Sequence, residues 1–579
     1  MEVESNMYNV TIDGKTVAVE ENASVLKAAH DAGAAIPTLC WMKDLNEIGS
    51  CRICVCEVEG DDALCAACNT PVRDGMVVRT NTPRVIAARR DNLRTILEGH
   101  RSECTTCERT GTCALQKLSA DLNVGELEFD PMPYFEAWDE DFPLQRDASK
   151  CIRCGRCVAE CAKVQHCNVW ETSGPASFRG ITVKDGKPID QAGCALCGQC
   201  ITHCPTGALT ARRDIDKVID ALADPDVMTV IQFAPAIRSA WGENVGLTHE
   251  EATPGRMAAA ARRLGFDRVF DTDFAADLTI MEEASEFIEY VKEGKKRPMF
   301  TSCCPGWVRF AKLHYPQFVE QLSTSKSPHQ MMGAVVKNTL KEQVEEEGKK
   351  RIFCLSVMPC VAKKYECDVP QLSTEAGRDV DAVLTTREFD RMLHMFSVPC
   401  KELPEEAFDN PLGLSTGAGT IFGRTGGVME AALRSAAYFL TGEKPSFETC
   451  DTTASTPERP WVDKTLEIAG LTLKIAIASG LENTAKLLDA LESGEAAYDF
   501  VEIMACPGGC VGGGGQPISF NQELAFGRAK VLNTLDKDDT LRFSHENPDV
   551  QALYDKWVGK PLSETAEAWL HTEQETWDI

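Results

Sequence analysis

Residues 151–161 read CIRCGRCVAEC and residues 194–204 read CALCGQCITHC, with Pro205 directly after the second run. Both are C-x2-C-x2-C-x3-C runs, a spacing that turns thiolates toward iron and in which the fourth cysteine ligates the other cluster. Cys151, Cys154, Cys157 and Cys204 are therefore expected to hold one [4Fe–4S] cluster, and Cys194, Cys197, Cys200 and Cys161 a second. Ala162 stands where the first run would ordinarily have proline.

The duplication, with Cys151 and Cys194 43 residues apart, resembles a bacterial two-cluster ferredoxin. Moving toward the N-terminus, His100, Cys104, Cys107 and Cys113 form H-x3-C-x2-C-x5-C. One imidazole and three thiolates suit zinc as well as iron. Their position between other clusters favours [4Fe–4S], because zinc has no redox role. Further out, Cys40, Cys51, Cys54 and Cys68 follow C-x10-C-x2-C-x13-C and can supply the four thiolates of a [2Fe–2S] cluster, with Cys56 and Cys65 as competitors for the last place. YNVTIDGKTVAVE at 8–20 alternates about Asp13-Gly14 as a hairpin does, Ala23–Ala32 reads as a helix, and Arg84–Ala120 reads as mostly helical. The Pro-rich, acidic stretch 131–143 reads as a linker.

At 579 residues the chain is too long for one core. A formal charge of −28 argues against a nucleic-acid partner. Between Arg84 and Lys117, seven basic residues face four acidic ones, a patch that could dock an acidic electron carrier or be a solvated helix face. The opening MEVESNMYNVTIDGKTV lacks the features of a Sec signal, and no stretch approaches the ~20 apolar residues of a membrane span, so a cytoplasmic address is expected. In a reducing compartment, clustered cysteines bind metal more often than they form disulfides.

From Asp214 onward, VMTVIQFAP, DRVFDTDF, RPMFTS, KRIFCLSVMPC and DFVEIMAC read as buried strands, a pattern of α/β architecture with ligand sites at strand C-termini. Three segments there concentrate chemistry: TSCCPGW at 301–307, MPCVAKK at 358–364 and EIMACPGGCVGGGGQP at 502–517. Together they read as a metal site assembled from distant loops, with glycines admitting close backbone approach.

These segments resemble the three H-cluster motifs of the [FeFe]-hydrogenases, and the order of N-terminal modules is similar to that of members with four accessory clusters. The resemblance runs from IPTLC to HENPDVQALYDKWVGKP. It implies a multidomain α+β and α/β chain. Its parts are a ferredoxin-like [2Fe–2S] module (1–82), a [4Fe–4S] module with one histidine and three cysteine ligands (83–125), a two-[4Fe–4S] ferredoxin module (142–213) and a large α/β H-cluster domain (214–579). It implies that Cys304, Cys360, Cys506 and Cys510 bind the [4Fe–4S] part of the H-cluster. Cys510 would bridge to a diiron subsite carrying carbonyl, cyanide and azadithiolate ligands. Cys303 would be no ligand but the first proton carrier, followed by Glu283, Ser323 and Glu286. Glu283 and Glu286 share a face of the helix read in LTIMEEASEFIEYV. Tyr290 stands where the family has an outermost arginine. Lys363 would pair with a cyanide, Met358 would pack beside the diiron subsite, and Pro235 and Ala236 would contact the other cyanide, Ala236 without the serine hydroxyl of some relatives.

The implied activity is reversible proton reduction, 2 H+ + 2 e− = H2, with maturation proteins building the centre and a ferredoxin exchanging electrons. The alternative is the catalytic subunit of an NAD(P)-linked, electron-bifurcating complex with a diaphorase-type flavin subunit. No G-x-G-x-x-G fingerprint follows a strand, so a nicotinamide site would lie on another chain. The first 210 residues also resemble the large iron–sulfur subunit of respiratory complex I, so an electron-conducting subunit is a rival from another class. An iron–sulfur assembly relative and a hydrogen sensor are further rivals. Retention of Cys303, Glu283, Glu286 and Lys363 argues for catalysis.

Overall fold

The strands Met7–Ile12 and Lys15–Glu20 pair through Asp13-Gly14, both in the left-handed region (φ 48° and 86°), the geometry whose twist suits a two-residue hairpin. The computed structural model describes residues 6–125, 133–174, 180–295, 298–453, 460–468 and 470–577. The hairpin belongs to a five-stranded sheet completed by Val77–Arg79, Val55–Val58 and Cys65–Ala66, against which the helix Val25–Asp31 packs.

The next helix, Pro83–Glu98, starts under an N-cap in which Thr82 accepts from the Val85 amide. It does not run on to Ala120: it stops at Gly99, the chain continues irregularly to Cys113, and helix resumes over Ala114–Asp121. That stretch is rich in Ser and Thr, which compete for backbone hydrogen bonds, and Gly111 is left-handed (φ 78°). The basic patch is largely neutralised. Arg84 pairs with Glu57, Arg94 with Asp91, Arg101 with Glu103 and Lys117 with Asp121, while Arg89 and Arg109 are buried. The structure thus favours a solvated face over a docking site there. Of the linker stretch, residues 131–132 lie outside the described residues. Its remainder has no regular structure, and Trp138 stacks on Trp170 (centroids 6.0 Å apart).

Each ferredoxin-type run turns into a short helix at a left-handed glycine, Gly155 (φ 75°) before Arg156–Lys163 and Gly198 (φ 73°) before Gln199–Thr202. Gly198 is also where this region meets the C-terminal domain. A Cβ there would lie 2.8 Å from Val361 and 3.0 Å from the Cα of Gly514.

The C-terminal domain holds two four-stranded sheets. One is wholly parallel, in the order Arg268–Asp271, Val227–Phe233, Arg351–Met358, Ala382–Thr385. The other orders Met299–Phe300, Phe500–Met504, Leu471–Ser479 and Trp461–Ile468, antiparallel only at the last pair. All five expected strands form. The strand Ala382–Thr385 and the hairpin Trp461–Ile468/Leu471–Ser479 are additions. The helix Thr272–Glu293, capped by Asp271 and closed by left-handed Gly294, packs against the helices Pro328–Thr339 and Gly427–Thr441.

Candidate active site

Four parallel strands from the two sheets end around one cavity. Phe233 is followed by Pro235 and Ala236, Phe300 by Cys303 and Cys304, Met358 by Cys360, and Met504 by Cys506. Strand C-termini are where α/β folds place ligands. The cavity is about 70 Å³, several times the ~10–15 Å³ one water needs. Pro235, Ala236, Met358 and Phe422 give it apolar walls, and Cys303, Cys304, Cys360, Cys510, Lys363 and His329 bring its chemistry.

Cys304, Cys360, Cys506 and Cys510 face one another, and burial is the main cause pushing all four thiols upward. Among the described residues, no three His, Cys, Asp or Glu converge as a single ion requires. An iron–sulfur cluster makes no such demand, since each thiolate binds its own iron. The donor set, one buried and three half-buried thiols beside a cavity, therefore fits a polynuclear group. The glycines of 512–515 serve close backbone packing. A Cβ on Gly513 or Gly515 would run into Pro359, and one on Gly514 would meet the Cys197 carbonyl oxygen at 2.6 Å.

Lys363 reaches the cavity wall from the helix Ala362–Asp368. Its ammonium donates to the Cys303 carbonyl (3.1 Å) and pairs with Glu366 (2.8 Å) one turn on. The same Glu366 oxygen accepts from Ser327 (2.9 Å) and from His329. Burial works against the Glu366 carboxylate, but Lys363 and His329 outweigh it and hold the group at about 2. Burial, then the Lys363 charge, pushes His329 down to about 4, so its ring is neutral, donates through Nε2 and accepts the Ser356 hydroxyl at Nδ1 (3.2 Å).

On the helix Thr272–Glu293, Glu283 is fully buried and its carboxyl oxygens make no hydrogen bond. Burial, then the Glu286 carboxylate, pushes it up to about 8, with the Ser323 hydroxyl and Ser302 amide opposing weakly. Burial and then Glu283 also push the Cys303 thiol up. Glu286 accepts from the Ser323 hydroxyl (2.6 Å) and from the Thr324 amide (2.9 Å) and hydroxyl (3.0 Å). The chain Cys303, Glu283, Ser323, Glu286 is thus gathered along one line of neighbours. Tyr290 lies buried among apolar side chains.

In the N-terminal third, the thiols of Cys40, Cys51, Cys54 and Cys68 lie against one another. Cys56 and Cys65 instead face each other across the strand pair Val55–Val58/Cys65–Ala66, with Cys56 beside Arg89. His100 donates from Nδ1 to the Lys150 carbonyl (3.1 Å), which leaves Nε2 as a lone-pair donor, the usual arrangement of a metal-binding imidazole. Cys151, Cys154, Cys157 and Cys204 line one cavity of about 20 Å³. Cys161 sits with Cys194 and Cys200 instead, and Cys197 and Cys200 are close neighbours.

A family profile described as "Iron only hydrogenase large subunit, C-terminal domain" matches residues 227–514, and "Iron hydrogenase small subunit" matches 522–575. Upstream, a 2Fe-2S cluster-binding domain matches 5–83, an NADH-ubiquinone oxidoreductase-G iron-sulfur binding region 89–128 and a 4Fe-4S dicluster domain 150–208. The chain is 43% identical to the NADP-reducing hydrogenase subunit HndD of Solidesulfovibrio fructosivorans, over 98% of each chain. It is 36% identical to iron hydrogenase 1 of Clostridium pasteurianum, over 98% of this chain and 99% of that one. The chain belongs to the [FeFe]-hydrogenases.

The solved apo [FeFe]-hydrogenase of Chlamydomonas reinhardtii covers 62% of this hydrogenase at 38% identity, with a TM-score of 0.56. The hydrogenase is accordingly a catalytic subunit carrying ferredoxin-like iron–sulfur domains ahead of its active-site domain. Among its described residues no helix is long and apolar enough to cross a membrane. Sequence reasoning missed Glu366, His329, Ser327 and Met504, the last a wall of the cavity. Glu366 lies three residues from Lys363 on one helix and was findable from that spacing. His329 and Ser327 come from another element, and nothing local marks them.

Proposed function

We propose that this [FeFe]-hydrogenase forms and splits H2 at an H-cluster whose [4Fe–4S] part would be held by Cys304, Cys360, Cys506 and Cys510, with Cys510 also helping to hold the diiron subsite. The observation that carries the proposal is the convergence of four strand ends, the Cys304, Cys360 and Cys510 thiols with Cys506 next to them, and one anchored ammonium about a single cavity. When bound, the H-cluster would supply redox-active iron and a basic group for the cleavage and formation of H2. The protein's own contribution is to exclude water with Pro235, Ala236, Met358 and Phe422 and to hold a cation at Lys363 for an anionic ligand. Burying an ammonium costs several kcal/mol unless it is paired, and Glu366 keeps it paired.

Proton movement is assigned to Cys303 Sγ, the Glu283 carboxyl, the Ser323 hydroxyl and the Glu286 carboxylate. With a pKa pushed up to about 8, Glu283 carries a proton at neutral pH and can both give and take one without a large penalty. The Ser323 hydroxyl, already donating to Glu286, can accept at the same oxygen. Glu283→Gln keeps the shape and removes the relay. D2/H+ exchange, which needs no electron donor, should slow by about 10²–10⁴-fold with iron content unchanged. An exchange rate equal to the parent's would refute the path.

The accessory groups are proposed as one [2Fe–2S] on Cys40, Cys51, Cys54 and Cys68, one [4Fe–4S] on His100, Cys104, Cys107 and Cys113, and two [4Fe–4S] on the ferredoxin-type cysteines. The domain limits 1–82, 83–125, 142–213 and 214–579 are kept as part of this proposal, the last joining two family segments. For the partner, likeness to an NADP-reducing hydrogenase subunit over nearly the whole chain, and to a complex I segment at 89–128, favours a diaphorase-type subunit over ferredoxin alone. H2-dependent NADP+ reduction that appears only when such a subunit is added would support it. Full activity with ferredoxin alone, and none with the added subunit, would reverse the preference.

A further inference from the structure

Arg109 is buried, yet among the described residues it is the one arginine with two buried nitrogens, Nε and Nη1, that have no partner. Among the described residues the one hydrogen bond of its guanidinium runs from Nη2 to the Thr112 carbonyl (3.3 Å). The adjacent Glu108 does not serve it, being occupied by Arg213 and Arg391. The ionisable groups it faces include the thiols of Cys204, Cys113 and Cys107 and, on the repulsive side, Arg391 and Arg387.

These thiols come from two of the candidate cluster sets, which are interlocked around the arginine. A Cβ on Gly207 would lie 2.6 Å from the Cys107 sulfur and 3.6 Å from the Arg109 Cγ. The Cys113 thiol donates to the Pro205 carbonyl (3.5 Å), and the carbonyl of Lys150, just before Cys151, accepts from both His100 (3.1 Å) and Thr206 (2.8 Å). Other buried arginines near cysteines have closer or more numerous oxygen partners. Arg309 donates to the Cys194 carbonyl (2.6 Å), and Arg156 donates to the Leu39 carbonyl (3.4 Å) and the Asn521 amide oxygen (3.0 Å). A buried guanidinium without a counter-charge is strongly unfavourable, and an anionic group in the space between these cysteines would supply one. Thiolate-ligated iron–sulfur clusters carry net negative charge, and hydrogen bonds to their sulfurs set how readily they accept an electron.

We propose that Arg109 is the counter-charge shared by the cluster on His100, Cys104, Cys107 and Cys113 and the cluster on Cys151, Cys154, Cys157 and Cys204, and that it makes both easier to reduce. This rests on the ligand reading given above. Each cluster gains one electron from the hydrogenase's own electron flow, becomes more negative by one charge, and the fixed guanidinium stabilises that state.

The test is an EPR-monitored redox titration of the full chain, loaded anaerobically with its clusters, with Cys107→Ala and Cys154→Ala identifying the two signals. In Arg109→Gln the reduction equilibrium of both clusters should fall at least about tenfold, about 59 mV for one electron, while the [2Fe–2S] signal stays put. Arg109→Lys, which keeps the charge, should recover most of the shift. Loss of the clusters in the Gln variant but not the Lys variant would also support the charge role. Midpoints unchanged in Arg109→Gln, or clusters lost equally in both variants, would overturn it. If Cys107→Ala loses no signal, the ligand reading fails instead. The Arg109→Gln titration then still reports whether the guanidinium sits beside a redox centre.

Discussion

The N-terminal third and the C-terminal domain solve the same problem, placing thiols around a polynuclear group, in opposite ways. In the first 213 residues each candidate set comes from one short stretch, or from two runs that exchange a single cysteine. In the C-terminal domain Cys304, Cys360, Cys506 and Cys510 are brought together only by two sheets ending at one place. A local set needs its own loop. A set made of strand ends needs the whole domain, and in return gains neighbours no loop could supply: an anchored ammonium, a neutral buried acid and apolar walls. On the proposed assignments, electron transfer and proton chemistry are separable in this chain.

The largest effect is expected at Cys303. Cys303→Ala should abolish both H2 evolution and D2/H+ exchange, by up to about 10⁴-fold, while iron content is kept. Loss of iron would make Cys303 a ligand and end its role as carrier. The counterpart in the other region is Cys154→Ala. It should remove one cluster's spectroscopic signal and most partner-linked turnover while leaving D2/H+ exchange at the parent's level. A parallel fall in exchange would show that the two regions are not independent. Next in size, Glu366→Gln leaves Lys363 without its counter-charge. Activity should drop about 10–100-fold, as for other groups that hold a metal site's ligands in place, and the infrared bands of any bound cyanide should move. Unmoved bands would detach Lys363 from the centre.

The smallest effect is on pH dependence, and its sign is fixed by Glu283. Raised to about 8, this acid is protonated below that value and charged above it. Inward delivery needs the protonated form and outward transfer the charged form. H2 evolution with an artificial donor should therefore decline as pH rises through about 8, and H2 oxidation should rise over the same interval. Profiles that move together would point to another group.

The contrast between the regions also explains what can be read from the sequence. The ferredoxin-type runs are legible because ligand spacing and loop geometry are the same local fact; the structure sets Cys204 beside Cys151, Cys154 and Cys157, and Cys161 beside Cys194 and Cys200. The five expected strands, four of which end at the cavity, are legible as mainly apolar runs. Ala382–Thr385, only four residues long, and the hairpin Trp461–Ile468/Leu471–Ser479 carry weaker signals. Periodicity over-reads helix across 99–113, where the very cysteines being counted interrupt it. The basic patch leaves two readings open, and its charge is cancelled partly by neighbours one turn away and partly by Glu57 from another element. Lys363 and Cys303 are placed through family resemblance alone, since each in isolation is an ordinary residue. The support beneath Lys363, with His329 and Ser327 arriving from a different element, exists only in three dimensions.

The most direct test of the central claim, one H-cluster on four strand ends, is infrared spectroscopy. The protein would be matured anaerobically in a host with hydrogenase maturation factors and observed where metal-bound carbonyl and cyanide absorb and protein groups do not. The account predicts bands that shift under H2 and vanish in Cys510→Ala. A silent spectrum from parent protein whose N-terminal clusters are full would contradict it.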